Sequence, residues 1–230
     1  LLHGGFVQDR GVWHELGYVK RLAPDFTVIT VDIRGHGESQ RPMSSGAYAI
    51  ENLIDDVHSV ANACGAGKFS LWGFSLGGSI AMQLAAHSSR LQGAVIAASF
   101  LGEAVREYAA RNVPELKAAV EAQQNGRLDE LPLGPAERSF VEQVDLRLAL
   151  AVYEAMMSWP TVAPGDVRCP TYIYVGSADR LVLEALQRQR AEMEGAGLHF
   201  DVLDALGHFQ ALNEVDHVLP NVSAFLTGLR

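Results

Sequence analysis

Cysteine is scarce in this chain of 230 residues, which contains only Cys64 and Cys169. Two cysteines far apart in sequence are too few for a disulfide framework or for a four-ligand zinc site. We therefore interpret both as reduced thiols buried in the protein.

Positively charged residues are also few. The chain has 18 Lys and Arg residues and 27 Asp and Glu residues, which gives a formal net charge of −9. This balance provides no electrostatic footprint for a polyanion. We expect neither nucleic acid nor a membrane as a partner. No stretch approaches the roughly 18 consecutive apolar residues of a membrane span, so we expect a soluble, cytoplasmic protein.

Three stretches nearly match motifs of other chemistries, and each fails at a required position. RGHGESQ has Gln40 where a dinucleotide fingerprint needs its third glycine. NACGAGKF has Asn62 and Phe69 where a phosphate loop needs a glycine and a hydroxyl. HELGY has Tyr18 in place of the second histidine of a zinc-binding helix. We expect no metal and no cofactor.

Apolar runs rich in β-branched and aromatic residues alternate with segments that repeat at helical spacing. The runs are FTVITVDI, FSLWGF, GAVIAASF, TYIYVGS and LHFDVLD, and the helical segments are 12–23, 50–64, 79–87, 181–194 and 214–229. This alternation predicts the α/β class, with a mostly parallel sheet and helices on both faces. Residues 102–164 show helical periodicity throughout, so we interpret them as a helical cap or lid inserted into a core formed by residues 1–101 and 165–230.

The stretch LWGFSLGGSI places Ser75 between Gly73 and Gly77, after a predicted strand and before a predicted helix. That context is typical of a nucleophile elbow, a sharp turn that exposes the serine hydroxyl. The sequence therefore predicts that Ser75 is a nucleophile.

A serine hydroxyl needs a base, and the base needs a third group to orient it. Asp179 and His208 follow two later predicted strands, and ligands of such sheets bind at the carboxyl ends of the strands. We predict that Ser75, His208 and Asp179 form a catalytic triad. His36, in another loop at a strand end, is the rival base.

Together these residues resemble the α/β-hydrolase family. The resemblance rests on LLHGGF, DIRGHGES, GFSLGGSIA, CPTYIYVGSADRLV and GHFQALNE, which occur in the family's order over nearly the whole chain. It implies the same triad, and it implies further strands before Leu1, so we expect the natural chain to begin earlier.

The resemblance also implies an oxyanion hole built from two backbone N–H groups. One is that of Leu76, and the other comes from the HGGF loop, where Gly5 is the first choice and Phe6 the alternative. His3, in the same loop, is implied to brace it rather than to react.

The predicted activity is hydrolysis of a small or medium acyl ester or lactone by water through an acyl enzyme. The serine nucleophile argues against epoxide and haloalkane hydrolysis, which use Asp in this family, and HGGF lacks the HGGPG of the proline iminopeptidases. Carbon–carbon bond hydrolysis, perhydrolysis and a slow-turnover ligand receptor of the same fold remain alternatives. Oligomeric state stays open.

We expect the acyl group to bind in an apolar pocket between the catalytic loops and the helical segment. Large side chains at the entrance of that segment and within it supply the candidates Phe100, Tyr108, Phe140, Tyr153, Met156, Met157 and Trp159. The last three are favoured as a group, because flexible thioethers and an amphipathic ring suit an adaptable pocket.

Overall fold

The computed structural model describes residues 1–6, 8–134, 138–139, 141–142 and 144–229. Six strands form one sheet in the order β2-β1-β3-β4-β5-β6, and every neighbouring pair is parallel. The strands are β1 (Leu2–His3), β2 (Thr30–Val31), β3 (Phe69–Phe74), β4 (Leu91–Ala97), β5 (Thr171–Gly176) and β6 (His199–Leu203). The predicted α/β class with a mostly parallel sheet is confirmed.

Helices connect these strands and cover the sheet. In the described residues they are α1 (Gly11–Glu15), α2 (Tyr18–Leu22), α3 (Ile50–Ala63), α4 (Leu76–His87), α5 (Glu103–Gln124), α6 (Leu146–Met156), α7 (Arg180–Arg188), α8 (Arg190–Gly195), α9 (Gln210–Asn213) and α10 (Val215–Thr227). Short 3₁₀ turns lie at Ser45–Tyr48, Leu128–Glu130 and Pro164–Asp166.

The central strands are apolar on both faces because helices cover both. In β3, Leu71 packs in the hydrophobic cluster that includes α3 and α4, while the next residue, Trp72, packs in the cluster that includes α1, α2 and α10. In β5, Ile173 packs in the first of these clusters and Tyr174 packs in the second. Side chains of a strand alternate between faces, so a near-continuous apolar run is what a sheet buried on both sides requires.

Two predicted helices are each divided in the structure. The segment 12–23 forms α1 and α2, separated at Gly17, whose φ of 83° is left-handed and cannot continue a right-handed helix. The segment 181–194 forms α7 and α8, separated at Gln189, whose backbone leaves the helical region at φ −103° and ψ 4°. The other predicted helices match their observed bounds to within a turn.

The segment between β4 and β5 is built on α5 and α6, which pack together. The Asp145 carboxylate caps α6 by accepting hydrogen bonds from the backbone N–H groups of Arg147 and Leu148. Lys117 of α5 and Glu154 of α6 are joined by an ion pair at 3.0 Å. The described residues of 102–164 contain no strand. The assignment of these residues as a separate cap remains a prediction.

Neither cysteine is fully buried, so that prediction was wrong. Cys64 is exposed because it lies at the C-terminal end of α3, and Cys169 is half-buried ahead of β5. Both are free thiols, as predicted. Within the described residues, no helix is both long enough and apolar enough to cross a membrane.

Candidate active site

Ser75 occupies a strained turn between the end of β3 and the start of α4. Its φ of 53° and ψ of −115° are unusual for a residue with a Cβ atom. The turn is held on both sides, because the Ser75 N–H donates to the Ala97 carbonyl at 2.8 Å and the Ser79 N–H donates to the Ser75 carbonyl at 3.1 Å. The strand, turn and helix of a nucleophile elbow are all present.

Close backbone approach explains the glycines on either side of Ser75. A Cβ atom on Gly73 would lie 2.1 Å from the Gly77 carbonyl oxygen, and one on Gly77 would lie 2.4 Å from His3 Nδ1. These contacts are far inside van der Waals distance, so only glycine lets α4 pass this close to β1 and β3.

A chain of hydrogen bonds joins Ser75 to His208 and Asp179. His208 Nε2 lies 3.0 Å from Ser75 Oγ, and His208 Nδ1 lies 2.6 Å from Asp179 Oδ2. The carboxylate can only accept, so Nδ1 carries the imidazole proton and Nε2 is left to accept from the Ser75 hydroxyl. The Asp179 side chain is 9% exposed and that of His208 is 32% exposed, so the carboxylate is shielded from solvent while the imidazole remains accessible.

The rival base, His36, lies apart from this chain of hydrogen bonds. It is buried, its Nδ1 lies 3.3 Å from the Arg34 carbonyl, and its ring meets that of Phe6 edge-on at 5.1 Å. Burial lowers its pKa below the usual value, so His36 is a neutral packing partner of the HGGF loop.

His3 is also neutral and buried. Desolvation lowers its pKa from 6.5 to about 3, and its ring Nδ1 lies 3.1 Å from the Gly4 carbonyl. This position fits the implied role of bracing the loop.

The N–H of Gly5 is already engaged, since it donates to Gln8 Oε1 at 2.8 Å. Gly5 packs tightly beside Ser75, because an added Cβ atom would lie 3.1 Å from the Ser75 Cβ atom. Phe6 and Leu76 both line the cavity beside Ser75, whereas Gly5 is not among its lining residues. The Gln8 contact was not anticipated, because nothing in the sequence pattern marks a glutamine that folds back onto its own loop.

A cavity of about 220 Å³ opens beside Ser75 and His208. Of the predicted pocket residues, Phe100, Tyr108, Tyr153 and Met156 line it. Leu181, Val182, Ser79 and Ser99 also line it and were missed. Leu181 and Val182 lie in the first turn of α7, two and three residues after Asp179, so their position in the sequence was the signal that could have identified them.

Met157 and Trp159 are not among the lining residues of this cavity. The indole N–H of Trp159 donates to the Tyr48 carbonyl at 3.0 Å, and the side chain is only 2% exposed. Trp159 is therefore a core residue, and its hydrogen bond links the segment after α6 to the 3₁₀ turn Ser45–Tyr48. Met157 is 39% exposed. Phe140 lies outside the described residues.

Residues 1–137 match the family profile of the alpha/beta hydrolase fold. The chain belongs to the α/β-hydrolase family. No group of three or more His, Cys, Asp or Glu side chains suited to holding a metal ion occurs within the described ranges of this α/β hydrolase.

Esterases and lactonases are among the relatives of this α/β hydrolase. It is 41% identical over 86 residues to the pimeloyl-acyl-carrier-protein methyl ester esterase of Yersinia pseudotuberculosis, a match that covers 37% of this chain and 29% of that protein. It is 26% identical over 243 residues to 3-oxoadipate enol-lactonase 1 of Acinetobacter baylyi, covering 96% of this chain and 86% of the lactonase.

Solved structures share the fold at lower identity. The enol-lactonase of Burkholderia xenovorans superposes with a TM-score of 0.71 at 23% identity, over 98% of this chain and 90% of that one. At this identity the likeness shows the fold alone.

Proposed function

We propose that this α/β hydrolase is a carboxylic ester hydrolase that cleaves a small or medium acyl ester or lactone through an acyl enzyme. The observation that carries the proposal is the chain of hydrogen bonds from Asp179 through His208 to Ser75. The esterase and lactonase relatives support the same reaction class.

In the proposed reaction Ser75 Oγ attacks the acyl carbonyl carbon while His208 Nε2 takes the hydroxyl proton. The bond to the leaving oxygen then breaks, and His208 returns the proton to that oxygen, which leaves as an alcohol. Water attacks the acyl enzyme by the same route, releasing the acid and restoring the Ser75 hydroxyl. Asp179 keeps the proton on Nδ1 throughout and stabilises the imidazolium that forms twice in each cycle.

The oxyanion is assigned to the backbone N–H groups of Leu76 and Phe6. Leu76 is the first residue of α4, where a helix leaves its N–H groups without intrahelical partners. The bond from Gly5 to Gln8 supports Phe6 in place of the first choice, Gly5. Each such donor is typically worth about 100- to 1000-fold in rate.

Residues 102–164 are assigned as a cap that covers the acyl site. Tyr108 of α5 and Tyr153 and Met156 of α6 line the cavity beside Ser75, which supports this division of the chain. Carbon–carbon bond hydrolysis and perhydrolysis would use the same triad. A ligand receptor of the same fold would also retain the three residues but would turn over slowly. A turnover number far below the typical range of about 1–1000 per second on all esters and lactones would favour the receptor.

The decisive experiment compares the wild-type protein with Ser75→Ala on a panel of p-nitrophenyl esters and lactones. We expect kcat to fall by at least about 10,000-fold, and we expect His208→Ala to cause a similar loss that is not additive with the first. Ser89→Ala, at an exposed serine in the turn after α4, is the matched control and should keep full activity.

Covalent labelling gives an independent readout. A fluorophosphonate should label Ser75 in the wild-type protein, as seen by peptide mass spectrometry. Hydrolysis by Ser75→Ala within tenfold of the wild-type rate, or labelling at another residue, would contradict the assignment.

A further inference from the structure

Four of the described residues that line the cavity beside Ser75 are Phe or Tyr. Phe100 and Tyr108 stack with their ring centroids 4.6 Å apart, and Tyr108 and Tyr153 follow at 5.8 Å. Tyr153 in turn meets Phe6 edge-on at 6.0 Å. This row of rings gives the acyl side of the site a largely apolar wall.

Among the described residues that line the cavity, charge is confined to Asp179 and His208. Among the described lining residues, Asp179 and His208 are the ionisable acid and base, and they are bonded to each other. No Lys or Arg belongs to that set. The guanidinium of Arg106, on α5, is partly exposed, where it pairs with Glu103 at 3.5 Å and donates to the Met157 carbonyl at 3.2 Å. A carboxylate in the cavity would lose its hydration and gain no cation in return.

The hydroxyl protons of the serines that line the cavity each have an acceptor. Ser79 Oγ and Ser99 Oγ are 2.9 Å apart, and Ser99 Oγ donates to the Phe100 carbonyl at 3.4 Å, so both serine protons have acceptors. The Ser75 proton goes to His208 Nε2.

Tyr108 differs from these serines. The Tyr153 hydroxyl donates to the Tyr108 hydroxyl oxygen across 3.5 Å. Burial raises the pKa of Tyr153, which keeps that hydroxyl protonated and able to donate. The Tyr108 proton itself has no acceptor among the described residues, so Tyr108 is the one hydroxyl with a spare proton in their part of the cavity wall.

We propose that the acyl pocket selects an uncharged acyl group whose chain carries a hydrogen-bond-accepting oxygen, and that the Tyr108 hydroxyl binds this oxygen. The inference rests on the proposed ester hydrolysis and names the acyl class for it. Tyr108 acts as a specificity-determining residue because the bond is lost when the oxygen is replaced by a methylene group.

The test uses acyl chains of one length with a constant leaving group. The substrates are the p-nitrophenyl esters of hexanoic, propoxyacetic, 3-ethoxypropanoic and 4-methoxybutanoic acids, in which one oxygen replaces a methylene at successive positions. The quantity measured is the ratio of kcat/KM for each ether ester to kcat/KM for the hexanoate. Comparing this ratio between proteins cancels the intrinsic reactivity of each ester.

We expect Tyr108→Phe to lower this ratio by about 5- to 10-fold for at least one ether position, the size of one lost hydrogen bond. Tyr153→Phe is the matched control, because it removes a hydroxyl that donates to Tyr108 while the Tyr108 proton stays in place. Its ratios should remain within about twofold of wild type. Ratios that are unchanged by Tyr108→Phe at all three positions would overturn the proposal.

A charged substrate tests the second half of the proposal. The mono-p-nitrophenyl ester of hexanedioic acid places a carboxylate in the same pocket, and we expect kcat/KM about 100-fold below that of the hexanoate. A charged ester that reacts as fast as the hexanoate would overturn the proposal. If no ester is hydrolysed faster by wild type than by Ser75→Ala, the proposed function itself fails, whereas Ser75-dependent hydrolysis without ether preference removes only the role of Tyr108.

Discussion

Gln8 is the residue whose side chain defines the second half of the proposed oxyanion hole. The Gln8 Oε1 accepts from the Gly5 N–H at 2.8 Å, and the Gln8 backbone N–H donates to the Gly5 carbonyl at 3.3 Å. These two bonds close a turn around Phe6 and keep the Gly5 N–H engaged by the Gln8 side chain. In the proposed oxyanion hole, Gln8 is a positioning residue that acts through the neighbouring backbone.

We expect Gln8→Met to lower kcat by about 10- to 100-fold with KM within about twofold, because small displacements of catalytic groups are costly while acyl contacts persist. Methionine keeps the length of the side chain and removes the acceptor. The same change at Gln187, exposed on α7, is the control. Steady-state kinetics on a p-nitrophenyl ester provides the measurement. A rise in kcat would mean that Gly5 is the second donor and that Gln8 competes with the oxyanion.

At the scale of one element, α4 illustrates how closely helix and sheet pack beneath Ser75. A Cβ atom on Gly77 would meet His3 Nδ1 at 2.4 Å and the Gly4 carbonyl oxygen at 2.5 Å. Backbone atoms cannot move aside as a flexible side chain can, so the helix would have to shift away from β1.

We therefore expect Gly77→Ala to lower the free energy of unfolding by about 3 kcal/mol or more, measured by urea denaturation. Gly67→Ala is the matched control, because an added Cβ atom there meets no atom within 4 Å. It should change stability by less than about 0.5 kcal/mol. An equal effect of both substitutions would show that close packing under Ser75 is not the cause.

The elements also show where sequence patterns are informative. β3, β4 and β5 are predictable because each is buried on both faces along most of its length, so its apolar run is nearly continuous. Ser75, Asp179 and His208 are predictable as neighbours because parallel strands end at one edge of the sheet. Trp159 was misplaced because periodicity in a helical segment cannot distinguish a side chain facing the cavity from one facing the core.

For the molecule as a whole, stability is coupled to pH through His3. Its folded-state pKa of about 3 lies below the unfolded value of 6.5. Below pH 6.5 the unfolded chain therefore binds a proton that the folded protein excludes, so this contribution to stability is complete above 6.5 and is lost as the pH falls toward 3. The lowered pKa of His36 acts in the same direction.

We expect the loss of stability between pH 7.5 and pH 4.5 to be about 2 kcal/mol smaller in His3→Gln than in wild type. Urea denaturation at the two pH values measures the difference. His87→Gln, at an exposed histidine at the end of α4, should lose as much as wild type. Identical losses in all three proteins would assign the acid sensitivity to other groups.

Ser75 and His208 lie 133 residues apart in the sequence, and this separation affects when they meet during folding. Contacts between distant parts of a chain form slowly, because the loop between them must be closed first. His208 follows β6, which lies at one end of the sheet order and pairs with β5. A refolding chain that has already assembled β1, β3, β4 and β5 presents the Ser75 elbow without its base. We therefore expect ester hydrolysis to return no earlier than the pairing of β6 with β5, and to lag behind the helical circular dichroism signal when the chain refolds.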